Sequence, residues 1–199
     1  VRVFGIDPGI GGCGFAVLDV PSDYRPAIVD AGAFWSSDKH ATVAVRVNEF
    51  ARDFSALFAE HRPAVVVVET PVHGIRNVTA SVMLWSAYAV VLGASARQAL
   101  VIDRTPDQWR AALGLPTRHT SPKASGLTAG ASRAQRKRES AGYVKNRFPG
   151  LLGLLAASRC PSDARSHAYD AIAIACAWID RAAHTNQTTA AHAPLTSEG

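Results

Sequence analysis

Apolar positions along the chain follow two different periods, and the switches between them divide it into elements. Val3 to Ile6 is a short apolar run, followed by a turn rich in glycine (Gly9, Gly11, Gly12, Gly14) and a second run, Phe15-Ala16-Val17-Leu18. Ala27 to Phe34 reads as a third strand, and the short connections predict an antiparallel meander. The period then changes. Val43, Val47, Phe50, Phe54, Leu57 and Phe58 recur at spacings of three and four, as an amphipathic helix requires. Beyond Pro63, Ala64 to Val68 is β-branched without alternation, which suits a central strand covered on both faces.

The remaining elements follow in the same way. Thr79 to Ala99 reads as helix and Leu100-Val101-Ile102 as a fifth strand. Thr105-Pro106-Asp107-Gln108 is a helix start, with Thr as cap, Pro at the first position and Gln at the third. Pro116 to Ser132 lacks a hydrophobic period and reads as a mobile loop. Arg133 to Phe148 is helical, and Ser162 is placed as the cap of a last helix ending near Ala183. The order βββαβαβα predicts an α/β domain, a five-stranded mixed sheet with helices on both faces. No internal repeat interrupts it.

Acidic residues stand at particular points of this frame. Asp7 follows the first strand in Gly5-Ile6-Asp7-Pro8-Gly9, and Glu69 ends the valine run. A carboxylate at the exit of a core strand sits on a stiff support, and burying one unpaired costs several kcal/mol unless a cation, hydrogen bonds or water meet it. Asp7 alone could be a turn aspartate, and Glu69 alone a surface strand end. Asp163, His167 and Asp170 follow at i, i+4 and i+7, on one face of the last helix. Ala168, Ala171, Ile172, Ala175 and Ile179 form the neighbouring stripe that packs on the sheet. Phosphodiester hydrolysis needs the attacking and leaving oxygens stabilised, which two divalent ions about 3.5–4 Å apart supply. Mg²⁺ and Mn²⁺ take oxygen ligands, and Mn²⁺ also takes imidazole. Two strand-end carboxylates with a helix carboxylate and histidine are a sufficient donor set.

Composition sets the class. Of 199 residues, 48% are hydrophobic and 19% charged, which excludes an intrinsically disordered chain. The length suits one domain, placed at residues 1–183, with the polar stretch 184–199 expected to be a disordered tail. Three cysteines (Cys13, Cys160, Cys176) form no CxxC pair and no disulfide framework, so a reducing, cytoplasmic setting is expected. The N-terminal apolar run is too short for a signal peptide, and Met83 to Ala96, broken by Ser86, falls short of a membrane span. Lys and Arg outnumber Asp and Glu by 21 to 16, for a net charge of +5. The excess gathers in Lys123, Arg133, Arg136, Lys137 and Arg138, with Arg118 and His119 nearby. Such a charge run can be a solvated helix face, but beside an acidic site, which itself repels DNA, compensating positive charge is needed and salt-dependent phosphate contact is the favoured reading. Arg76 and Asn77 are second-rank candidates for the same role.

These residues carry a resemblance. Gly5-Ile6-Asp7-Pro8-Gly9 with Gly14-Phe15-Ala16-Val17, then Val66-Val67-Val68-Glu69, then His167-Ala168-Tyr169-Asp170-Ala171-Ile172-Ala173-Ile174-Ala175, resemble in order and spacing the motifs of RuvC-type Holliday-junction resolvases. The resemblance implies a ribonuclease-H-like fold and a metal-dependent endonuclease that cuts branched DNA in recombination or repair. It implies catalytic and metal-binding positions at Asp7, Glu69, His167 and Asp170, two Mg²⁺ or Mn²⁺ ions per site, and a homodimer. The Met83–Val91 helix offers the apolar interface. Asp163 lies outside the matched motif and reads as a helix N-terminal aspartate. Two features depart from the family. Pro71-Val72-His73-Gly74 follows Glu69 where the family often has an aromatic wedge, and the Pro116–Ser132 loop is long, as in a divergent or phage-borne member. The rival readings are an RNA-processing nuclease of the YqgF type and a nucleic-acid-binding module without catalysis. A sugar-kinase-like ATPase would need a second domain that this length can hardly hold.

Overall fold

The computed structural model describes residues 1–35, 38, 40–71, 77–117, 129–157 and 164–191. Five strands form one sheet in the order β3-β2-β1-β4-β5, with β1 at Arg2–Asp7, β2 at Cys13–Asp19, β3 at Ala27–Phe34, β4 at Val65–Glu69 and β5 at Leu100–Arg104. The first three are an antiparallel meander, while β4 runs parallel to β1 and β5 parallel to β4. β1 and β4 occupy the middle, and their inner residues are fully covered, as the unalternating valine run predicts.

Each face has its own helical layer. On one, α1 (Val43–His61) and α2 (Val78–Ser95) cover Phe4, Ile6, Phe15, Val17, Val66 and Val68. Phe50, Phe54 and Phe58 recur on one side of α1, and Phe54 stacks on Phe4 at 5.9 Å between ring centroids. Thr42 caps the start of α1, and Arg62, left-handed at φ 45°, ends it before Pro63. On the other face lie α3 (Pro106–Ala112), α4 (Ala129–Arg147), α5 (Leu151–Ala157) and α6 (Arg165–Ala191). The start of α3 has the predicted reciprocal cap, Gln108 N–H donating to Thr105 Oγ1 and Thr105 N–H to Gln108 Oε1.

The expected five-stranded mixed sheet with helices on both faces, a ribonuclease-H-like arrangement, is present. Four details differ from the sequence reading. α4 begins at Ala129, inside the stretch read as loop, because alanine there supports a helix without an apolar stripe. The short helix α5 was not expected: Leu151-Leu152-Gly153-Leu154-Leu155 is too brief to show a period. α6 is buried on more than one stripe, since α3 and α4 pack on the side that a surface helix would expose. It also continues to Ala191, past the end expected near Ala183, as no proline interrupts it before Pro194. Ser162, proposed as its cap, lies outside the described residues, as do 192–199.

Candidate active site

Strand register brings the first two acids together. β1 and β4 pair in parallel through Ile6 and Val68, so Asp7 and Glu69 leave the sheet side by side at its carboxyl edge. The other two arrive on α6, whose first turns lie against β1 and β2. That approach depends on glycines. A Cβ at Gly14 would overlap the His167 carbonyl and come within 2.9 Å of His167 Cβ, and one at Gly5 would overlap the Ala171 carbonyl and come within 2.9 Å of Ala175 Cβ. The GxD and Gly-Phe-Ala-Val motifs thus have a packing reason as well as a chemical one: they seat the helix that carries His167 and Asp170.

All four candidates line one cleft of about 700 Å³, together with the Gly9–Gly12 turn, Trp109, Arg110, Arg133, Arg136 and Lys137. His167 Nδ1 lies 2.7 Å from Asp7 Oδ2. Asp170 is pushed up to about 7, first by burial and then by the charge of Asp7, against the opposing pull of Lys137. Lys137 Nζ stands 3.8 Å from Asp170 Oδ2 and donates to Ser166 Oγ at 2.9 Å. As the side chains stand, no three acids, histidines or cysteines among the described residues gather closely enough to hold one ion. What the cleft does hold is a crowded pair of carboxylates beside an imidazole, with a third carboxylate on the adjacent strand.

The basic candidates divide. Arg133, Arg136 and Lys137 lie on α4 and face the cleft. Lys123 and Arg76 lie outside the described residues, as does Asp163. Asn77 caps α2, its Oδ1 accepting from Ala80 N–H at 3.1 Å, a structural rather than a ligand-binding role.

Two cleft residues were missed by the sequence reading. Trp109 is buried, and its indole Nε1–H donates to Glu69 Oε2 at 2.7 Å. Arg110 is buried as well. Its guanidinium donates to the Pro116 carbonyl at 2.6 Å, to Ser140 Oγ at 3.1 Å and to Glu139 Oε2 at 2.5 Å. Burial depresses the Arg110 guanidinium, and Glu139 then Asp170 oppose that effect. The signal was a tryptophan and an arginine adjacent on a capped helix, which by type alone point to packing and solvent.

Comparison with known proteins bears on the fold and the lineage of the chain. The family model for crossover junction endodeoxyribonuclease RuvC matches residues 3–117. The RuvC of Renibacterium salmoninarum is 29% identical over 114 residues, 57% of this chain and 58% of that protein. That of Paenarthrobacter aurescens is 32% identical over 114 residues, 57% of this chain and 59% of that protein. The chain thus aligns with under three-fifths of the length of these relatives. A solved structure of T. thermophilus RuvC in complex with Holliday junction substrate superposes with a TM-score of 0.63 at 22% identity, covering 95% of this chain and 98% of that one. At that identity the superposition establishes the fold, and the sequence match establishes the lineage: this chain belongs to the RuvC family.

Proposed function

We propose that this chain is a structure-selective endodeoxyribonuclease that hydrolyses phosphodiesters in branched DNA, four-way junctions foremost, and acts as a cytoplasmic homodimer. The observation that carries the proposal is the convergence of Asp7, Glu69, His167 and Asp170 in one cleft whose rim is the basic face of α4. Family membership supports a need for divalent metal. The donor set fits such an ion by its chemistry: hard carboxylate oxygens on two rigid strands, and a half-buried Asp170 whose proton affinity is raised first by desolvation and then by the neighbouring charge of Asp7. A divalent cation relieves that like-charge crowding.

Asp7, Glu69 and Asp170 would hold two ions, Mg²⁺ or Mn²⁺, with His167 completing the set or orienting the attacking water. Bound there, the metal supplies an activated water and charge stabilisation for the departing 3′-oxygen. The chain's own residues do the rest. The β1–β4 ladder fixes the spacing of Asp7 and Glu69. The Nδ1 contact between His167 and Asp7 orients both side chains and leaves Nε2 toward the Gly12 turn, where an added Cβ would lie 3.3 Å from it. Arg133, Arg136 and Lys137 would meet the phosphate backbone, which positions DNA without reading its sequence. Symmetric cuts need two sites, hence the dimer, for which α2 offers exposed Val78 and Val82.

The test is cleavage of a four-way junction, a flap, a linear duplex and an RNA–DNA hybrid, with Mg²⁺ or Mn²⁺. Junction cutting that disappears in Asp7→Asn, with junction binding kept, is the expected result. Retained cutting in Asp7→Asn overturns the site assignment. Cutting confined to the hybrid favours an RNA-processing nuclease, and binding without cutting of any substrate favours a module that only binds.

A further inference from the structure

We infer that Arg46 binds a phosphate of the DNA, on the face of the sheet opposite the basic residues of α4. The inference rests on the proposed function and adds to it a second cationic flank for the cleft. Arg46 lies at the start of α1, its backbone N–H donating to the carbonyl of the cap Thr42 at 3.1 Å, and the residue is half-buried. Its guanidinium reaches toward α2 and the glycine turn that follows β1. Nη1 donates to Met83 Sδ at 3.1 Å, and Nη2 lies 3.8 Å from where a Cβ on Gly11 would stand. Met83 and Gly11 both line the cleft, and Gly11 is exposed.

This guanidinium is poorly satisfied for a charged group. A thioether sulfur is a weak acceptor. Nε is buried and has no hydrogen-bond partner. No ion pair among the described residues includes Arg46. Leaving a charged donor unmade costs more than leaving a neutral one. The guanidinium fork matches two oxygens of a phosphate in shape and charge. Gly11 has no side chain to stand between Nη2 and an incoming oxygen.

Position decides which anion. α1 and α2 cover one face of the sheet, while α4, with Arg133, Arg136 and Lys137, lies on the other. Asp7 and Glu69 stand at the carboxyl edge between the two layers. A strand of DNA laid across that edge brings its scissile phosphate to the acids and its neighbouring phosphates to the two flanks. The cations of α4 serve one flank, and Arg46 serves the other. Contacts of this kind fix the path of the strand without reading its sequence.

The experiment measures binding of the full chain to a labelled four-way junction and to a linear duplex across a salt range, with EDTA present so that no cutting intervenes. Arg46→Gln should weaken binding to both DNAs and reduce the magnitude of the slope of log K against log salt by about 0.9, the value of one phosphate contact. Arg46→Lys, which keeps the charge, should keep the slope. Arg46→Met keeps an apolar stem beside Met83 and gives the same reading as Arg46→Gln where the latter does not fold. Combined with Arg133→Ala/Arg136→Ala, the losses should add, because the contacts lie on opposite faces. An unchanged slope in folded Arg46→Gln or Arg46→Met overturns the inference. So does a slope reduced equally in Arg46→Lys, since packing rather than charge would then be its cause. In either case a reduced slope for Arg133→Ala/Arg136→Ala leaves the proposed function standing. Wild-type protein that binds neither DNA overturns the proposed function itself.

Discussion

Replacing Gly14 with alanine tests how the last helix is seated. The added Cβ would lie 2.9 Å from His167 Cβ and closer still to the His167 carbonyl. Carbon atoms prefer about 3.5–4.0 Å, so the shortfall is roughly 0.6–1.1 Å. The obstructing carbonyl is backbone, and no side-chain rotation relieves it. Either α6 retreats by about 1 Å or β2 bends. Overpacking of a core costs about 1–3 kcal/mol, and backbone obstruction places this substitution at the upper end. For a chain of this size about 3 kcal/mol lowers the melting temperature by roughly 6–12 °C. Displacing His167 and Asp170 by about 1 Å should reduce cleavage on the order of 100-fold even where the protein is folded. Gly142→Ala is the matched control. It lies within α4 with nothing inside 4 Å of an added Cβ, so it should stabilise by about 0.5–1 kcal/mol. Thermal unfolding and junction cleavage at a temperature where both variants are folded give the readout. A Gly14→Ala protein that melts with wild type and cuts at the wild-type rate would refute the packing argument.

At position 167, aspartate should retain measurable cleavage and alanine should lose far more, with Mn²⁺ at least as effective as Mg²⁺ for the wild type. Alanine and aspartate variants that behave alike would remove His167 from the proposed ligand set. The Arg133→Ala/Arg136→Ala variant should weaken binding to every DNA and reduce the slope of log K against log salt by about 2, one for each phosphate contact. An unchanged slope in a folded protein would make this face of α4 mere solvated surface. On α2, Val82 is 48% exposed, so Val82→Asp should convert dimer to monomer in sedimentation without lowering the monomer's stability. A dimer that persists would place the interface elsewhere.

Much of this architecture was legible because its signals are local or periodic. The phenylalanine spacing of α1, the unbroken valines of β4 and the Thr105 cap each state their element within a dozen residues. The pairing of Asp7 with Glu69 was half legible: both read as strand-end acids, but only the parallel register of β1 and β4 makes them neighbours. The contact of Trp109 with Glu69 was not legible. Its donor meets an acceptor 40 residues earlier in the chain, and no periodicity encodes that contact. Helix α4 was misjudged at its start for a different reason. A helix that rests on its neighbours partly through arginine, serine and glutamate contacts has no apolar stripe to announce it.

The two halves of the site depend on different forces. Asp7 and Glu69 are held by backbone ladders in the centre of the sheet. His167 and Asp170 reach them only through the packing of an alanine-rich helix on glycines, and the Asp7–His167 contact spans 160 residues of sequence. That packing brings Asp170 into a half-buried place beside Asp7, where like charges oppose each other. Apolar contacts along α6 must therefore offset an electrostatic cost, and the burial of Ala168, Ala171, Ile172 and Ala175 supplies them. Lys137, 3.8 Å from Asp170, offsets part of the same charge. The basic face of α4 thus lowers the repulsion of the acidic cleft inside the protein, and under the proposed function it would also meet the phosphates of DNA.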